Sequence, residues 1–275
     1  MILDGKAYAA EIRAELKEKI DKLERKPGLA VIIVGEDPAS RVYVRNKIKA
    51  CEELGIRSYA YELPYDSTQK DVEDLLDSLG DNEDVDGVLL QLPLPKHLDS
   101  ESAAKHIPVE KDVDGFSAQN LGLLMQHKEN VVACTPAGVM KILERAGIEL
   151  TGKHAVVLGR SETVGKPMAM LLLNANATVT ICHSKTQNLK EICRSADILV
   201  SAVGKVKFVT EDMVKDGAVV IDVGINRDEN GKLCGDVDFE NVKEKTSYIT
   251  PVPGGVGPMT VTMLMYNTYL SFCKE

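Results

Sequence analysis

The sequence predicts an α/β protein of two domains, the second with Rossmann-like spacing, and three observations carry that reading. Short β-branched apolar runs alternate with segments of helical period, the rhythm of a parallel sheet with crossover helices. That rhythm runs twice, interrupted by a polar, proline-containing stretch that ends in KDVDGF. The chain has 275 residues, against about 150 for a typical domain. Its 44% apolar content is enough to fill two cores.

From Lys6 to Glu24, Ala9, Ile12, Leu16, Ile20 and Leu23 recur at helical spacing, and Pro27 and Gly28 stop the run. LAVIIV, Leu29 to Val34, is continuously apolar, as expected of a strand buried on both faces. GEDPAS then turns the chain into a helix carrying YVRNKIKACEELG. A strand over Ser58 to Leu63, a helix over Thr68 to Leu79 capped by Ser67, and a strand GVLLQL follow. In CTPAGVMKILERAG, Thr135 reads as an N-cap, Pro136 as the first helical residue and Gly147 as the stop, a helix placed to bridge two domains. Strand HAVVLG, helix VGKPMAMLLLN, strand ATVTIC, helix NLKEICRSA and strands DILVSAVG and AVVIDVG form the second series. The last helix, Met259 to Cys273, is so apolar that it is expected to dock on the rest of the protein.

Composition removes several functional classes. Lys and Arg number 33 against 42 Asp and Glu, a net charge of −9 that repels phosphate polymers and anionic lipid. Eight Tyr, four Phe and no Trp supply too few rings for single-strand stacking or membrane belts. The expectation is therefore no nucleic-acid partner and no membrane. Six cysteines without a CxxC pair write neither a zinc site nor a redox centre, so no metal is expected. The opening MILDGK carries no basic segment leading into an apolar run, and no 18 apolar residues are consecutive. A soluble protein of a reducing, cytoplasmic compartment is expected, although an organellar form stripped of its targeting segment shares these features.

GRSETVGKP, Gly159 to Pro167, lies between a strand and a helix, where N–H groups and the helix N-terminus can hold a pyrophosphate; its glycines also suit a plain tight turn. NAD sites usually place a carboxylate at the end of the next strand, but here the strand ends Cys182, His183, Ser184, Lys185. Nothing there repels a 2′-phosphate, and a hydroxyl, an imidazole, an ammonium and the guanidinium of Arg160 can bond it, so NADP is predicted over NAD.

Tyr43 and Lys47, four apart, share one helix face. Their place ahead of the nucleotide loop argues against a short-chain dehydrogenase. Gln91 follows an apolar strand, where α/β proteins put ligand contacts, and KDVDGF offers Asp112 and Asp114 at a turn; either residue type can also merely cap backbone. PGGVGP, Pro253 to Pro258, is a rigid loop whose glycines allow close approach of a planar ligand.

Together, YVRNK, QLPLP, KDVDGF, CTPAG, GRSETVGKP, CHSKT, VIDVGIN and ITPVPGGVGPMTV resemble the bifunctional methylenetetrahydrofolate dehydrogenase/cyclohydrolase family, from Asp4 to the last helix. The resemblance implies oxidation of 5,10-methylenetetrahydrofolate with NADP⁺ and hydrolysis of the methenyl product to 10-formyltetrahydrofolate, both steps in one site. It implies a folate-binding catalytic domain over 1–135, a Rossmann-like NADP-binding domain over 136–258, and a helix over 259–275 returning to the first. By the same resemblance Lys47 is the catalytic lysine, Tyr43 the ring that packs on the folate, Gln91 the lysine's partner and Asp114 the anchor of the pterin. Pro253, Gly254 and Gly255 join the substrate site. Thr135, Gly159, Arg160, Ser161, Gly165, His183, Ser184, Ile225 and Thr260 surround the cofactor.

Hydride loss creates a cation beside Lys47, so a neutral amine, encouraged by Arg45 or Lys49, is expected to serve as base. The partners implied are tetrahydrofolate derivatives, polyglutamylated forms included, and a second copy of the chain. At this length the synthetase domain of trifunctional relatives is expected to be missing. A shikimate-dehydrogenase-like oxidoreductase and a noncatalytic NADP-binding sensor remain as alternatives.

Overall fold

The computed structural model describes residues 1–274, with Pro38 and Ala39 described through their backbone alone. Helix α1 (Gly5–Asp21) buries Ala9, Ile12, Leu16 and Ile20, the predicted stripe. Strand β1 (Gly28–Val34) is buried at every position. Helix α2 (Pro38–Leu54) starts with the Asp37 carboxylate accepting from Ser40 N at 2.7 Å and ends at Gly55, whose φ of 77° favours glycine. Strand β2 (Arg57–Leu63) follows, then helix α3 (Gln69–Gly80).

The cap of α3 is Thr68, not Ser67. Thr68 and Asp71 bond each other's backbone N–H, and only Thr68 stands three residues ahead of that carboxylate. Strand β3 (Gly87–Leu90) completes a parallel sheet of order β2-β1-β3, which explains why β1 in the centre is apolar throughout. Asp86, 1% exposed, pins the start of β1 by accepting Gly28 N at 2.6 Å while Arg25 grips both its oxygens. The polar stretch after β3 contains two short helices, α4 (Ser100–Ala104) and α5 (Ala118–Met125).

Helix α6 (Cys134–Arg145) begins one residue before the predicted cap, so Thr135 sits inside the first turn. A five-stranded parallel sheet follows: β4 (His154–Leu158), α7 (Gly165–Asn174), β5 (Thr178–Cys182), α8 (Leu189–Arg194), β6 (Ile198–Ser201) and β7 (Val219–Asp222). The hairpin β8 (Asn226–Arg227) and β9 (Leu233–Cys234), helix α9 (Phe239–Val242), strand β10 (Tyr248–Ile249) and helix α10 (Val256–Phe272) complete the chain. Strand order is β10-β7-β6-β4-β5. The chain leaves β4 for β5 on one side and returns to β6 on the other, which opens a crevice at the carboxyl ends of β4 and β6.

Backbone packing divides the chain into two units. One joins Glu11–Cys134 to the residues from Val261 onward. There α10 docks through Met265, whose sulfur lies 3.5 Å from Cys51, and through Asn267. The other joins Met1–Ala10 to Thr135–Thr260. The first ten residues thus depart from the 1–135 expectation. Leu3 N bonds Ile249 O at 2.8 Å and Lys6 N bonds Gly254 O at 3.0 Å, adding the N-terminus to the edge of the five-stranded sheet.

Candidate active site

In the first unit, Gln91 extends the β3 ladder by one bond, its N–H donating to Ile32 O at 2.8 Å, so its side chain is set at the carboxyl end of the sheet. The amide is oriented at both ends. Gln91 Nε2 donates to Leu92 O at 2.6 Å, which turns Oε1 toward Lys47, whose Nζ donates to it at 3.0 Å. Lys47 is half-buried on α2, and Tyr43, one turn earlier, leaves 46% of its surface exposed, an unusually open ring beside an amine.

Asp114 completes the group. Burial pushes its carboxyl up to about 6, the charge of Lys47 pulls it back, and Asp112 pushes it further up. The Cys134 thiol points at Asp114 Oδ1 from 3.9 Å, and burial drives that thiol well above its ordinary range. The charge of Lys47 therefore reaches the Asp114 carboxyl. Of the cations expected beside Lys47, Lys49 lies 3.9 Å from Glu53 and Arg45 is exposed.

Of the two carboxylates KDVDGF offers at a turn, Asp112 takes the backbone-capping role: it accepts Gly115 N at 3.0 Å, Phe116 N at 3.3 Å, Ser117 N at 2.8 Å and Asn120 Nδ2 at 2.9 Å, folding the loop that presents Asp114. Sequence reasoning passed over a second support of that loop. Asn267 in α10 donates to Val113 O and Val132 O, each at 2.9 Å, and so braces the same loop. An Asn inside an apolar helix was the available signal.

In the second unit, Gly159, Arg160, His183 and Ser184 line one cavity of about 270 Å³ at the carboxyl ends of β4, β5 and β6, together with Lys205 and Phe208. No carboxylate is among the lining residues. The backbone demands glycine at 159, where φ is +122° and a Cβ would lie 2.4 Å from Ala202 O. Gly165, at the start of α7, would meet Gly159 O at the same 2.4 Å.

The Ser161 hydroxyl accepts Val164 N and Gly165 N at 3.2 Å in the turn that leads into α7. His183 Nδ1 accepts Lys185 N at 3.1 Å, which leaves Nε2 as the ring's outward donor when neutral. Arg160, His183, Ser184 and Lys205 thus supply donors and positive charge with no opposing carboxylate, and this set fits a phosphorylated dinucleotide. Thr135 and Thr260 meet hydroxyl to hydroxyl at 3.0 Å, and Ile225 is 54% exposed. Pro253, Gly254 and Gly255 also belong to this unit. Gly254 has φ +105°, and a Cβ on Gly255 would lie 2.5 Å from Pro251 O.

A lysine–amide pair at one sheet end and a carboxylate-free crevice at a switch point define a dinucleotide-dependent α/β enzyme. Comparison with known proteins supplies the family. Residues 3–114 match the family model described as tetrahydrofolate dehydrogenase/cyclohydrolase, catalytic domain, and residues 133–275 match its NAD(P)-binding domain. A protein named "Bifunctional protein FolD" from Lachnoclostridium phytofermentans is 57% identical over 97% of this chain and 96% of its own.

The solved structure of the bifunctional enzyme FolD, methylenetetrahydrofolate dehydrogenase/cyclohydrolase, from Campylobacter jejuni superposes with a TM-score of 0.98 at 50% identity, covering 100% of this chain and 99% of that one. The Trypanosoma brucei N5,N10-methylenetetrahydrofolate dehydrogenase-cyclohydrolase, solved with NADP cofactor and inhibitor, gives 0.95 at 42% identity over 100% and 97%. The chain belongs to the tetrahydrofolate dehydrogenase/cyclohydrolase family.

Proposed function

We propose that this chain oxidises 5,10-methylenetetrahydrofolate with NADP⁺ and hydrolyses the methenyl product to 10-formyltetrahydrofolate. The observation that carries the reading is the 3.0 Å bond from Lys47 to a Gln91 amide fixed at its other end, with Asp114 in electrostatic reach. NADP⁺, when bound, accepts the hydride that leaves the methylene carbon. Asp114 anchors the pterin through two parallel hydrogen bonds, and a carboxyl held near 6 accepts them as the ionised form at neutral pH. Tyr43 covers one face of the folate with its open ring.

Gln91 orients the Lys47 amine without adding a charge. In hydrolysis, the methenyl cation opposes protonation of Lys47, whose amine takes a proton from the attacking water. The hydroxyl adds to the methenyl carbon; as the bond from that carbon to N5 breaks, the O–H proton leaves so that the formyl C=O forms, N5 takes up the proton held by Lys47, and one proton is released overall. The Arg160, His183 and Ser184 group selects the 2′-phosphate of NADP over the bare ribose of NAD.

A second copy of this chain is the partner we propose, paired along β5. That strand ends the five-stranded sheet, and it leaves Ile181, with Leu173 on α7, open to solvent. All six cysteines are free thiols, in keeping with a cytoplasmic setting. No helix among the described residues is long and apolar enough to cross a membrane.

The test is incubation with methylenetetrahydrofolate and either NADP⁺ or NAD⁺, following methenyl and formyl products separately. Wild type should form both products and prefer NADP⁺. Lys47→Met should lose hydrolysis while still binding NADP⁺, and hydrolysis retained in that variant would sink the assignment of the base.

A further inference from the structure

Asp236 lies outside every motif that the proposed chemistry uses, yet it is fully buried at the carboxyl ends of β6 and β7. Its two oxygens are filled by five neutral donors: Ser201 Oγ at 3.2 Å, Val203 N at 2.7 Å, Gly204 N at 3.2 Å, Lys205 N at 2.9 Å and Asn226 Nδ2 at 2.9 Å. Three successive N–H groups turned onto one carboxylate give the loop after β6 a single shape, because the chain wraps the anion. A second buried carboxylate holds the first. Asp222 accepts Asp236 N and Val237 N, each at 2.9 Å, and Gly224 N at 2.9 Å. The packing leaves no slack: a Cβ on Gly224 would lie 2.2 Å from Asp236 Oδ1, and one on Gly235 would lie 1.8 Å from Asp222 Oδ2.

The loop so fixed is a wall of the cavity that holds Arg160, His183 and Ser184, to which it contributes Val203 and Lys205. The Lys205 ammonium rests 5.5 Å from the centre of the Phe208 ring, another part of the lining. We infer that Asp236 is a positioning residue for NADP: it sets the Val203–Lys205 wall and with it places Lys205 as a further cation for the cofactor's phosphates.

The inference rests on the function proposed above, and the test separates the two. In Asp236→Asn, whichever way the amide turns, its NH₂ meets groups that are themselves donors, so the wall loosens while the volume is kept. The KM for NADP⁺ should rise about tenfold or more, the loss of a charge-assisted bond, with a smaller change in kcat. Hydrolysis of supplied methenyltetrahydrofolate needs no NADP⁺ and should persist.

An unchanged NADP⁺ KM overturns the inference. Should the variant lose both activities, Asn226→Ala withdraws one donor from the same carboxylate and decides the matter. In Asn226→Ala, a raised NADP⁺ KM with hydrolysis intact upholds the role, whereas no change, or an equal fall in both activities of that variant, refutes it. Wild type without NADP⁺-dependent oxidation would instead overturn the function proposed above.

Discussion

Replacing Asp114 by Asn should make the ligand-free protein more stable at neutral pH while it loses its substrate. Burial holds this carboxyl at about 6, against an ordinary 3.8. Ionising it in the fold therefore costs about 3 kcal/mol more than ionising it in the unfolded chain, since each pKa unit corresponds to about 1.4 kcal/mol. The sign follows from proton binding. Between these two values the folded form keeps its proton more tightly, so stability falls as pH rises and the whole cost is present above about 6.

The Asn variant carries no such charge. It should gain up to about 3 kcal/mol at pH 7.5 and little near pH 4, the attraction of Lys47 being already contained in the value of about 6. The chain has no Trp, so urea unfolding is best followed by far-ultraviolet circular dichroism at both pH values. A variant less stable than wild type at pH 7.5, or equally stabilised at both, would refute the argument that this site trades stability for binding.

Three further outcomes follow from the same geometry. Gln91→Glu puts a carboxylate 3.0 Å from Lys47 and should hold the amine charged, cutting hydrolysis about a hundredfold in a stopped-flow assay and leaving the NADP⁺ Kd unchanged. Arg160→Ala should weaken NADP⁺ binding about 10- to 100-fold and NAD⁺ binding hardly at all; calorimetric titration with both dinucleotides would expose a uniform loss, which would contradict the 2′-phosphate role. Asn267→Leu leaves Val132 O without its amide donor and Val113 O with only the Cys134 thiol, and should destabilise the protein by about 1–3 kcal/mol in urea, raising the folate KM along with it because Val113 adjoins Asp114.

Much of this protein was legible locally. The continuous apolar run of β1 and the three- to four-residue stripe of α1 mark their elements because hydrophobic period acts within a few residues. The dinucleotide-binding domain was legible too, from the strand, glycine loop and helix around Gly159 and Gly165. Short elements escaped: α4, the two-residue strands β8 to β10 and the helix-end choice of Thr68 over Ser67 are too brief to show a period. Lys49, one of the two cations expected beside Lys47, instead lies 3.9 Å from Glu53, one turn further along α2.

By itself the sequence determined the alternation of elements, because that is written in local spacing and composition, and it carried the motifs through which the chain resembles its family. Only the tertiary structure decided that Met1–Ala10 join the five-stranded sheet, that Asp112 and Asn267 hold the Asp114 loop, and that Asp222 and Asp236 share the carboxyl ends of β6 and β7. Each of these depends on which buried polar group finds which donor across a long stretch of chain. That is a matter of satisfying hydrogen bonds in the folded interior, and no periodicity records it.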